Sequence, residues 1–489
     1  MKWLTRIFRK RKDAAAQDRP AQIFLTNTLS GAKELFISQR PRIASMYTCG
    51  PTVYSQQHIG NLRPGVFSDT LARALAHAGY RVRRVINITD VGHLVGDGDL
   101  GEDKIEMGAK REGLSASAIA ERYTTLFLTD LAELNIDTKD IFFPKASDYI
   151  KEQISLARTL EEKGFAYRID DGLYFDTSRF HGYGKLGGLS GAQLKAGARI
   201  ETNPQKRHQA DFALWKKTPP DVSRMQEWDS PWGPGFPGWN LECSAMARAL
   251  LGIEIDIHTG GEDLAQIHHN NEIAQSEAAS GRPFSRYWMH NAFLTMEGEK
   301  ISKSIGNVVY LSTIIEKGFH PLSLRYFFLQ AHYRTPLSFS WNAIAGAASA
   351  LERLWKLSRE LAEESKRMEE SSEARSRFLA AMRDDLATPQ ALGILWDSLK
   401  SEDYTPEEKW CLLEDAEAHF GLSLLHPPAA GALATSDIPE KIREMLARRE
   451  AARAALDFKE ADRIRTDIEN SGYHVDDGPE GPVLIRTTL

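Results

Sequence analysis

The spacing of apolar residues near the start of the chain predicts a β-α-β unit. A short apolar stretch, ASMYT (44–48), precedes the polar turn CGPTVYSQQHIGN (49–61). Apolar positions at helical spacing follow in SDTLARALAHAG (68–79), and the run YRVRRVINIT (80–89) is rich in β-branched residues. Parallel strands joined by a helical crossover build open α/β sheets, whose ligands bind beyond the carboxyl ends of the strands. We therefore expect the first ligand-binding or catalytic residues in the turn after the first strand.

The remaining pattern predicts several further regions. Apolar periodicity predicts helices between residues 115 and 165, and the turn-rich segment 167–197 indicates a β insertion or a flexible flap. A second α/β region occupies residues 210–310, and long helices follow beyond residue 320. The Pro- and Ala-rich segment 426–439 is predicted to be a linker before a small C-terminal module. A core-facing stripe is predicted in the helical part: Leu351, Leu354, Trp355 and Leu361.

Composition excludes several classes of protein. With 489 residues, 42% hydrophobic and 26% charged, the chain fits a soluble globular protein of about three domains. It contains no apolar run of ~18 residues and no apolar signal region at its start, so we expect a cytoplasmic protein without stable membrane association. The net charge of −6 provides no general attraction for nucleic acid, so any RNA contact must be local. The basic segment 1–20 fits a solvated tail, although an anionic membrane surface or RNA would also suit it.

Three cysteines cannot form a disulfide framework in so long a chain, and each must be considered separately. Cys411 lies in the helical pattern KWCLLEDA and is predicted to pack in a core. Cys49 and Cys243 pair with the run HHNNE, in which His268 and Glu272 are four residues apart. If that run is helical, both side chains share one face, and two thiolates with one nitrogen and one oxygen donor suit Zn²⁺. Spacing alone leaves open two buried apolar cysteines and a capping histidine.

Two polar segments have the chemistry of a nucleotide site. HIGN (58–61) lies between a predicted strand and helix, where glycine permits close approach and His58 and Asn61 offer donors near a helix start. KISKS (300–304) places Lys300 and Lys303 in a loop that can close over a triphosphate. Each segment alone is equally consistent with an ordinary solvated turn.

Taken together, these segments resemble the cysteinyl-tRNA synthetases, a family of class I aminoacyl-tRNA synthetases. The resemblance extends from about residue 24 to the end of the chain. Besides Cys49, HIGN and KISKS, it includes CGPTVY (49–54), INITDV (86–91), DFALWK (211–216), SPWGPGFPGWNLECSAMA (230–247), DIHTGGEDL (256–264), HHNNEIAQSEAASG (268–281), MRDDLATPQAL (382–392) and DFKEADRIRTDIENSGYHVDDGP (457–479).

The resemblance implies a fold and a domain order. The fold class is α/β, with a Rossmann-type parallel-sheet catalytic domain, an inserted connective domain, a helical bundle and a small C-terminal module. The implied divisions are a basic extension (1–20), the first half of the Rossmann domain (21–135), the connective insertion (136–210), the second half with the KISKS loop (211–315), a stem-contact region (316–345), the helical bundle (346–428) and an anticodon-binding module (437–489).

The resemblance also implies an activity and its site. L-cysteine and ATP with Mg²⁺ would form cysteinyl-adenylate, and the cysteinyl group would pass to the 3′-terminal adenosine of tRNA(Cys), on a monomeric enzyme. One Zn²⁺ would be held by Cys49, Cys243, His268 and Glu272, and it would favour the thiolate of cysteine over the hydroxyl of serine. The cysteine pocket would be lined by Gly50, Thr89 and Trp239. ATP would face His58, Asn61, His258 and Lys303, with Lys300 and Lys303 assisting the departure of pyrophosphate.

Several positions differ from the family pattern. Asn61 replaces the second histidine of the usual HIGH motif, Asn240 replaces a histidine before Cys243, and Asn270 replaces a glutamate between the presumed ligands. The segment 92–108 is longer than usual, and Val483 stands near the place of a tryptophan that helps to read the anticodon. Two other functions therefore stay open: a ligase that passes activated cysteine to a small amine, and a non-catalytic tRNA-binding paralogue.

Overall fold

The fold was analysed in a computed structural model of the chain. It describes residues 20–91, 94, 102–186, 203–296, 299–300, 308–364, 371–428, 438–455, 457–471, 473–478 and 481–486. Four segments lie outside the described residues: the extension 1–19, residues 187–202, which include the end of the predicted β insertion or flap (167–197), the loop 301–307 with Lys303, and most of the predicted linker (429–437).

A five-stranded parallel sheet forms the centre of the fold. Its order is β11-β10-β3-β4-β5. The predicted β-α-β unit is confirmed, because β3 (Ile43–Thr48) pairs in parallel with β4 (Arg81–Ile86) and helix α1 (Ile59–His77) connects them. On its other side β3 pairs with β10 (Ile255–Gly261). The direction of winding therefore reverses at β3, and the crevice beyond the carboxyl ends of β3 and β10 is where this topology places ligands.

The remaining strands form four smaller sheets or complete the central one. Residues predicted as a β insertion contribute two strands of a four-stranded antiparallel sheet, β6-β7-β8-β9. The implied division at residue 210 falls inside this sheet, between β7 and β8. The remaining strands are β1 (Phe24–Asn27), β2 (Ala32–Leu35), β5 (Ile141–Phe142), β6 (Ala166–Ile169), β7 (Gly172–Phe175), β8 (Phe212–Lys217), β9 (Gly235–Pro237), β11 (Ser285–Asn291), β12 (Leu294–Met296), β13 (Glu299–Lys300), β14 (Leu337–Phe339), β15 (Tyr473–Gly478) and β16 (Gly481–Arg486).

Helices cover the sheet and dominate the C-terminal part, as the spacing of apolar residues predicts. After α1 they are α2 (Lys104–Glu112), α3 (Ala116–Glu133), α4 (Ile150–Glu162), α5 (Trp239–Leu250), α6 (Glu262–Gln266), α7 (His268–Ser280), α8 (Leu311–Glu316), α9 (Leu322–Leu329), α10 (Trp341–Glu364), α11 (Glu373–Arg383), α12 (Thr388–Lys400), α13 (Pro406–Phe420), α14 (Glu440–Ala454) and α15 (Phe458–Asn470). The predicted stripe on α10 is buried: Leu351, Leu354, Trp355 and Leu361. Cys411 is buried within α13, as predicted.

A buried carboxylate joins the sheet to the helical region. Asp69 on α1 accepts hydrogen bonds from Arg73 (2.7 Å), Arg84 on β4 (3.0 Å) and Arg325 on α9 (2.6 Å). Arg325 also donates to the carbonyl oxygens of Leu134 and Phe420, and is fully buried. The three guanidinium groups hold the pKa of Asp69 well below its usual range despite burial.

A second buried carboxylate fastens the first strand to the bundle. Asp385, in the turn after α11, accepts hydrogen bonds from the backbone nitrogen of Thr26 (2.7 Å), the hydroxyl of Tyr333 (2.7 Å) and the guanidinium of Arg334 (2.7 Å). The φ angles of Asp385 and Leu386 are 56° and 54°, in the left-handed region. These hydrogen bonds hold the turn in place and stabilise a backbone conformation that is unfavourable by itself.

The C-terminal module has its own small core. Helices α14 and α15 pack with the β15–β16 hairpin around Ile438, Ile442, Ile464, Ile468, Tyr473, Val475 and Leu484. No helix in the described part of the chain is long and apolar enough to cross a membrane.

Candidate active site

The four residues predicted to bind a metal come together at the switch point of the sheet. Cys49 directly follows β3, Cys243 lies on α5, and His268 and Glu272 lie one turn apart on α7. Their donor atoms all lie within 4.8 Å of one another. The Sγ atoms of the cysteines are 3.8 Å apart, Glu272 Oε1 is 3.7 Å from Cys49 Sγ, and His268 Nε2 is 3.2 Å from Glu272 Oε1. The predicted helical conformation of the HHNNE run is thus confirmed.

These separations fit a tetrahedral zinc site. Two sulfurs that each lie about 2.3 Å from a tetrahedral ion are about 3.8 Å apart, which is the observed distance between Cys49 and Cys243. Nitrogen and oxygen donors at about 2.0–2.1 Å are expected about 3.4 Å apart, close to the 3.2 Å between His268 and Glu272. The donor types, two sulfurs with one nitrogen and one oxygen, are those that zinc accepts.

The electrostatics of the pair of thiols favour one thiolate. Cys49 donates a hydrogen bond to Cys243 Sγ, and this bond, with a smaller contribution from His268, lowers the pKa of Cys243. Burial raises the pKa of Cys49 well above its usual value, and the neighbouring Cys243 and Glu272 add to that effect. Cys243 is therefore the more readily ionised thiol of the pair, and a divalent cation would stabilise its thiolate.

Neighbouring side chains fix the orientation of His268. Its Nδ1 lies 3.0 Å from the side-chain oxygen of Asn240, so Nδ1 carries the proton and Nε2 presents its lone pair to the cysteines. The indole of Trp239 stacks on the imidazole with ring centroids 4.3 Å apart. Asn240, a departure from the family pattern, thus acts as a partner of a presumed ligand.

Two further histidines lie against the same carboxylate. His258, on β10, is fully buried and places Nε2 3.1 Å from Glu272 Oε2, with its ring stacked on Trp288. His269 Nε2 lies 3.3 Å from Cys49 Sγ, and Cys49, His258, His269 and Glu272 form a second set of four adjacent donors. Burial and the neighbouring histidines lower the pKa of His269 well below its usual value, so it is neutral. In the structure the buried His258 contacts Glu272, and the expectation that it faces ATP stays a prediction.

Two of the three residues predicted to line the amino-acid pocket adjoin presumed metal ligands: Gly50 next to Cys49 and Trp239 against His268. Gly50 follows Cys49, and a Cβ atom there would lie 1.8 Å from the carbonyl oxygen of Asn87, so only glycine fits. Thr89 is buried and accepts a hydrogen bond from Asn87 Nδ2 at 3.1 Å. Trp239 is half-buried on the far side, against His268.

The HIGN segment occupies the first turn of α1 and does not simply precede it. His58 is the N-cap residue, and Asn61 is exposed in the first turn, which contains no acidic residue. The nitrogen of Ile59 donates to the carbonyl of Val309, just after the 301–307 loop. Lys300 ends β13, which pairs with β12, and only its backbone is described. The described chain on the C-terminal side of the loop therefore contacts the HIGN turn.

Comparisons with known proteins agree with this arrangement. A model of the class I (C) tRNA synthetase catalytic domain matches residues 36–349. A protein of Burkholderia lata named cysteine–tRNA ligase 1 is 46% identical over 468 residues, covering 95% of this chain and 97% of that protein. The chain belongs to the cysteine–tRNA ligase family. The cysteine–tRNA ligase of Zymomonas mobilis is 40% identical and covers 94% of this chain and 96% of its own length.

Solved structures of class I synthetases share the fold. A LeuRS–tRNA complex from Agrobacterium radiobacter superposes with a TM-score of 0.57 at 11% identity, covering 80% of this chain and 85% of that one. Methionyl-tRNA synthetase of Mycobacterium tuberculosis gives 0.53 at 18% identity, covering 78% and 91%. At these identities the likeness concerns the fold alone. Membership of the cysteine–tRNA ligase family and the predicted Rossmann-type fold class are thereby confirmed.

The departures from the cysteine–tRNA ligase pattern have structural explanations where the structure describes them. Asn270 spans the turn between α6 and α7, donating to the carbonyl oxygens of Leu186, Ala265 and Gln266. In the long segment 92–108, Asp103 caps α2 and pairs with Arg224 at 2.7 Å, so it is a structural residue. Asp97 and Asp99 lie outside the described residues, and for Val483 only the backbone pairing with β15 is described.

One buried group beside the cluster was not anticipated from the sequence. Glu242, next to Cys243 in the first turn of α5, is 0% exposed. Burial raises the pKa of its carboxyl group well above the usual value, nearby Cys243 and Asp90 add to this, and the hydroxyl of Thr89 acts in the opposite direction. Its position beside Cys243, a presumed metal ligand, is the only signal in the sequence that singles it out.

Proposed function

We propose that this protein is a zinc-dependent cysteine–tRNA ligase. It activates L-cysteine with ATP to cysteinyl-adenylate and transfers the cysteinyl group to the 3′-terminal adenosine of tRNA(Cys). The observation that carries this proposal is the group of Cys49, Cys243, His268 and Glu272, which presents donors at zinc-like separations beyond the carboxyl end of β3.

The proposed zinc site explains how cysteine is selected. Cysteine and serine differ by one atom, which a pocket selecting by shape distinguishes poorly. A bound zinc ion would supply a preference for the thiolate over a neutral hydroxyl. Trp239 covers His268 on one side and would exclude water from the pocket, while Gly50 lets the backbone approach the substrate closely.

The nucleotide is expected at the start of α1. The positive end of the dipole of α1, with His58 and the exposed Asn61, favours the phosphates of ATP, which Mg²⁺ accompanies. The carboxylate of cysteine attacks the α-phosphorus in line, and pyrophosphate leaves. Lys300 and Lys303 would offset the negative charge of the leaving group when the KISKS loop closes.

The second step requires the tRNA to reach the same crevice. A hydroxyl of the terminal ribose attacks the adenylate carbonyl, so no protein nucleophile is required. We propose that the module formed by α14, α15 and the β15–β16 hairpin contacts the anticodon, where Arg side chains would stack on and pair with unstacked bases. We expect a monomer that works in the cytoplasm.

Pyrophosphate exchange tests the proposal. We expect exchange that depends on L-cysteine, is undetectable with L-serine, disappears after zinc chelation and returns with zinc. Charging of tRNA(Cys) should follow. A matched pair of variants separates the metal from the fold: Cys243→Ser should lose zinc and exchange, whereas Cys411→Ser, a buried cysteine on α13, should retain both.

Two outcomes would favour the other functions. Cysteine-dependent exchange without charging of tRNA would identify a ligase that acts on a small amine. The absence of exchange from protein with full zinc occupancy would identify a non-catalytic paralogue, in which Asn61 no longer supports the chemistry.

A further inference from the structure

The surroundings of Glu242 do not explain why its carboxylate is buried. By hydrogen-bond geometry, neither of its carboxylate oxygens has a partner among the residues that the structure describes, and the hydroxyl of Thr89 is the one neighbouring donor that acts on it. The nearby Asp90 and Asp103 are acidic and offer no counter-charge. A carboxylate without a cationic partner is costly to bury, so a group of this kind calls for a functional explanation.

The proposed substrate contains the missing partner. The α-ammonium group of an amino acid is a cation with three hydrogen-bond donors, and in cysteine only two carbons separate it from the thiol. Glu242 is the neighbour of Cys243 in the chain, and it lies near Thr89, whose hydroxyl already accepts a hydrogen bond from Asn87. A substrate whose sulfur approaches Cys49 and Cys243 would bring its ammonium group towards Cys243 and Thr89, two residues close enough to act on this carboxylate.

We propose that Glu242 binds the α-ammonium group of the amino-acid substrate, next to the hydroxyl of Thr89. This inference rests on the proposed function, and it adds a second recognition element to the metal. The metal selects the sulfur, and Glu242 selects an amino acid over other thiols. A thiol that lacks the ammonium group leaves the carboxylate buried without a partner, and is discriminated against for that reason.

Equilibrium binding of two ligands tests this assignment. L-cysteine and 3-mercaptopropionate share the thiol and the carboxylate, but only cysteine has the ammonium group. Calorimetry on the zinc-loaded protein should give an affinity for cysteine about 10- to 100-fold higher, as expected for a charge-assisted hydrogen bond in a buried site. Glu242→Gln should reduce this ratio to nearly one by weakening cysteine binding, whereas 3-mercaptopropionate should bind as before or better.

Controls separate this role from a structural one. Glu242→Asp retains the charge and should retain part of the preference, while Glu254→Gln, at the amino end of β10 and ion-paired with Arg286, should leave the ratio unchanged. Equal weakening of both ligands by Glu242→Gln, with zinc content intact, would overturn the inference. If Glu242→Gln does not fold, equal affinity of the unaltered protein for the two ligands would still overturn it. Zinc-loaded protein that binds neither ligand would instead overturn the proposed function itself.

Discussion

Replacing Asn240 by leucine should weaken metal binding without removing a metal ligand. Asn240 holds the Nδ1 proton of His268 at 3.0 Å, and both side chains are buried. Leucine has a similar shape but cannot accept this proton. The change removes a buried hydrogen bond, worth about 1 kcal/mol, and leaves a buried donor unsatisfied, at a cost of about 1–3 kcal/mol. Zinc affinity should therefore fall about 10- to 100-fold, the range typical of partners that orient metal ligands.

Competition with a chromogenic zinc chelator measures this effect directly. Asn240→Asp keeps an acceptor at the same place and should retain zinc affinity within about threefold, a difference smaller than 1 kcal/mol. Thermal unfolding of the metal-free proteins separates an effect on the fold from an effect on the metal. Equal zinc affinity in Asn240→Leu and the unaltered protein would refute the assigned role of Asn240.

Three further predictions concern the fold and the pocket. Asp69→Asn leaves the buried guanidinium groups of Arg84 and Arg325, and the partly buried one of Arg73, without their counter-charge. It should lower the free energy of unfolding by about 3–5 kcal/mol, measured by urea denaturation; an unchanged midpoint would contradict the role of Asp69. Burial and Glu133 raise the pKa of Asp130 to about 7, so the folded protein favours the protonated form of this side chain. The stabilisation that results is complete below about pH 4 and is lost as the pH rises to 7. Asp130→Asn should abolish this pH dependence and be more stable at pH 8 by up to about 4 kcal/mol, which denaturation across this range tests. Gly50→Ala should disrupt zinc and cysteine binding because its Cβ would overlap a backbone oxygen, whereas Gly393→Ala, in open space on α12, should bind both normally and be up to about 1 kcal/mol more stable.

Local patterns predicted the elements of this fold well. Helical periodicity and β-branched runs predicted β3, α1, β4 and the long C-terminal helices, because each pattern reflects contacts between residues close in the chain. The pairing of His268 with Glu272 followed in the same way from their spacing on α7. The start of α1 was placed too late, because the glycine in HIGN resembles a turn residue although it lies in the first helical turn.

The geometry of the site depends on contacts that spacing does not encode. Cys49 and Cys243 are 194 residues apart, and their sulfurs meet only because β3 pairs with β10 and α5 lies beside them. The enclosure of His258 likewise depends on Trp288 of the neighbouring strand β11, a contact that no motif in the sequence indicates. In the sequence Asn240 is notable only as a departure from the family pattern, and Glu242 only as the neighbour of Cys243. Their roles emerge only from burial and from the atoms around them.

The attachment of β1 to the turn at Asp385 has a consequence for synthesis of the chain. The backbone of Thr26 donates to a carboxylate 359 positions later. At about 5–20 residues per second, a ribosome needs about 20–70 s to add the intervening chain. During that interval the first strand has emerged, yet this partner does not exist, and its exposed edge is open to pairing with other chains. The attachment of the β1–β2 hairpin to the Asp385 turn is therefore a late event in folding, although the residues of the hairpin are among the first to be made.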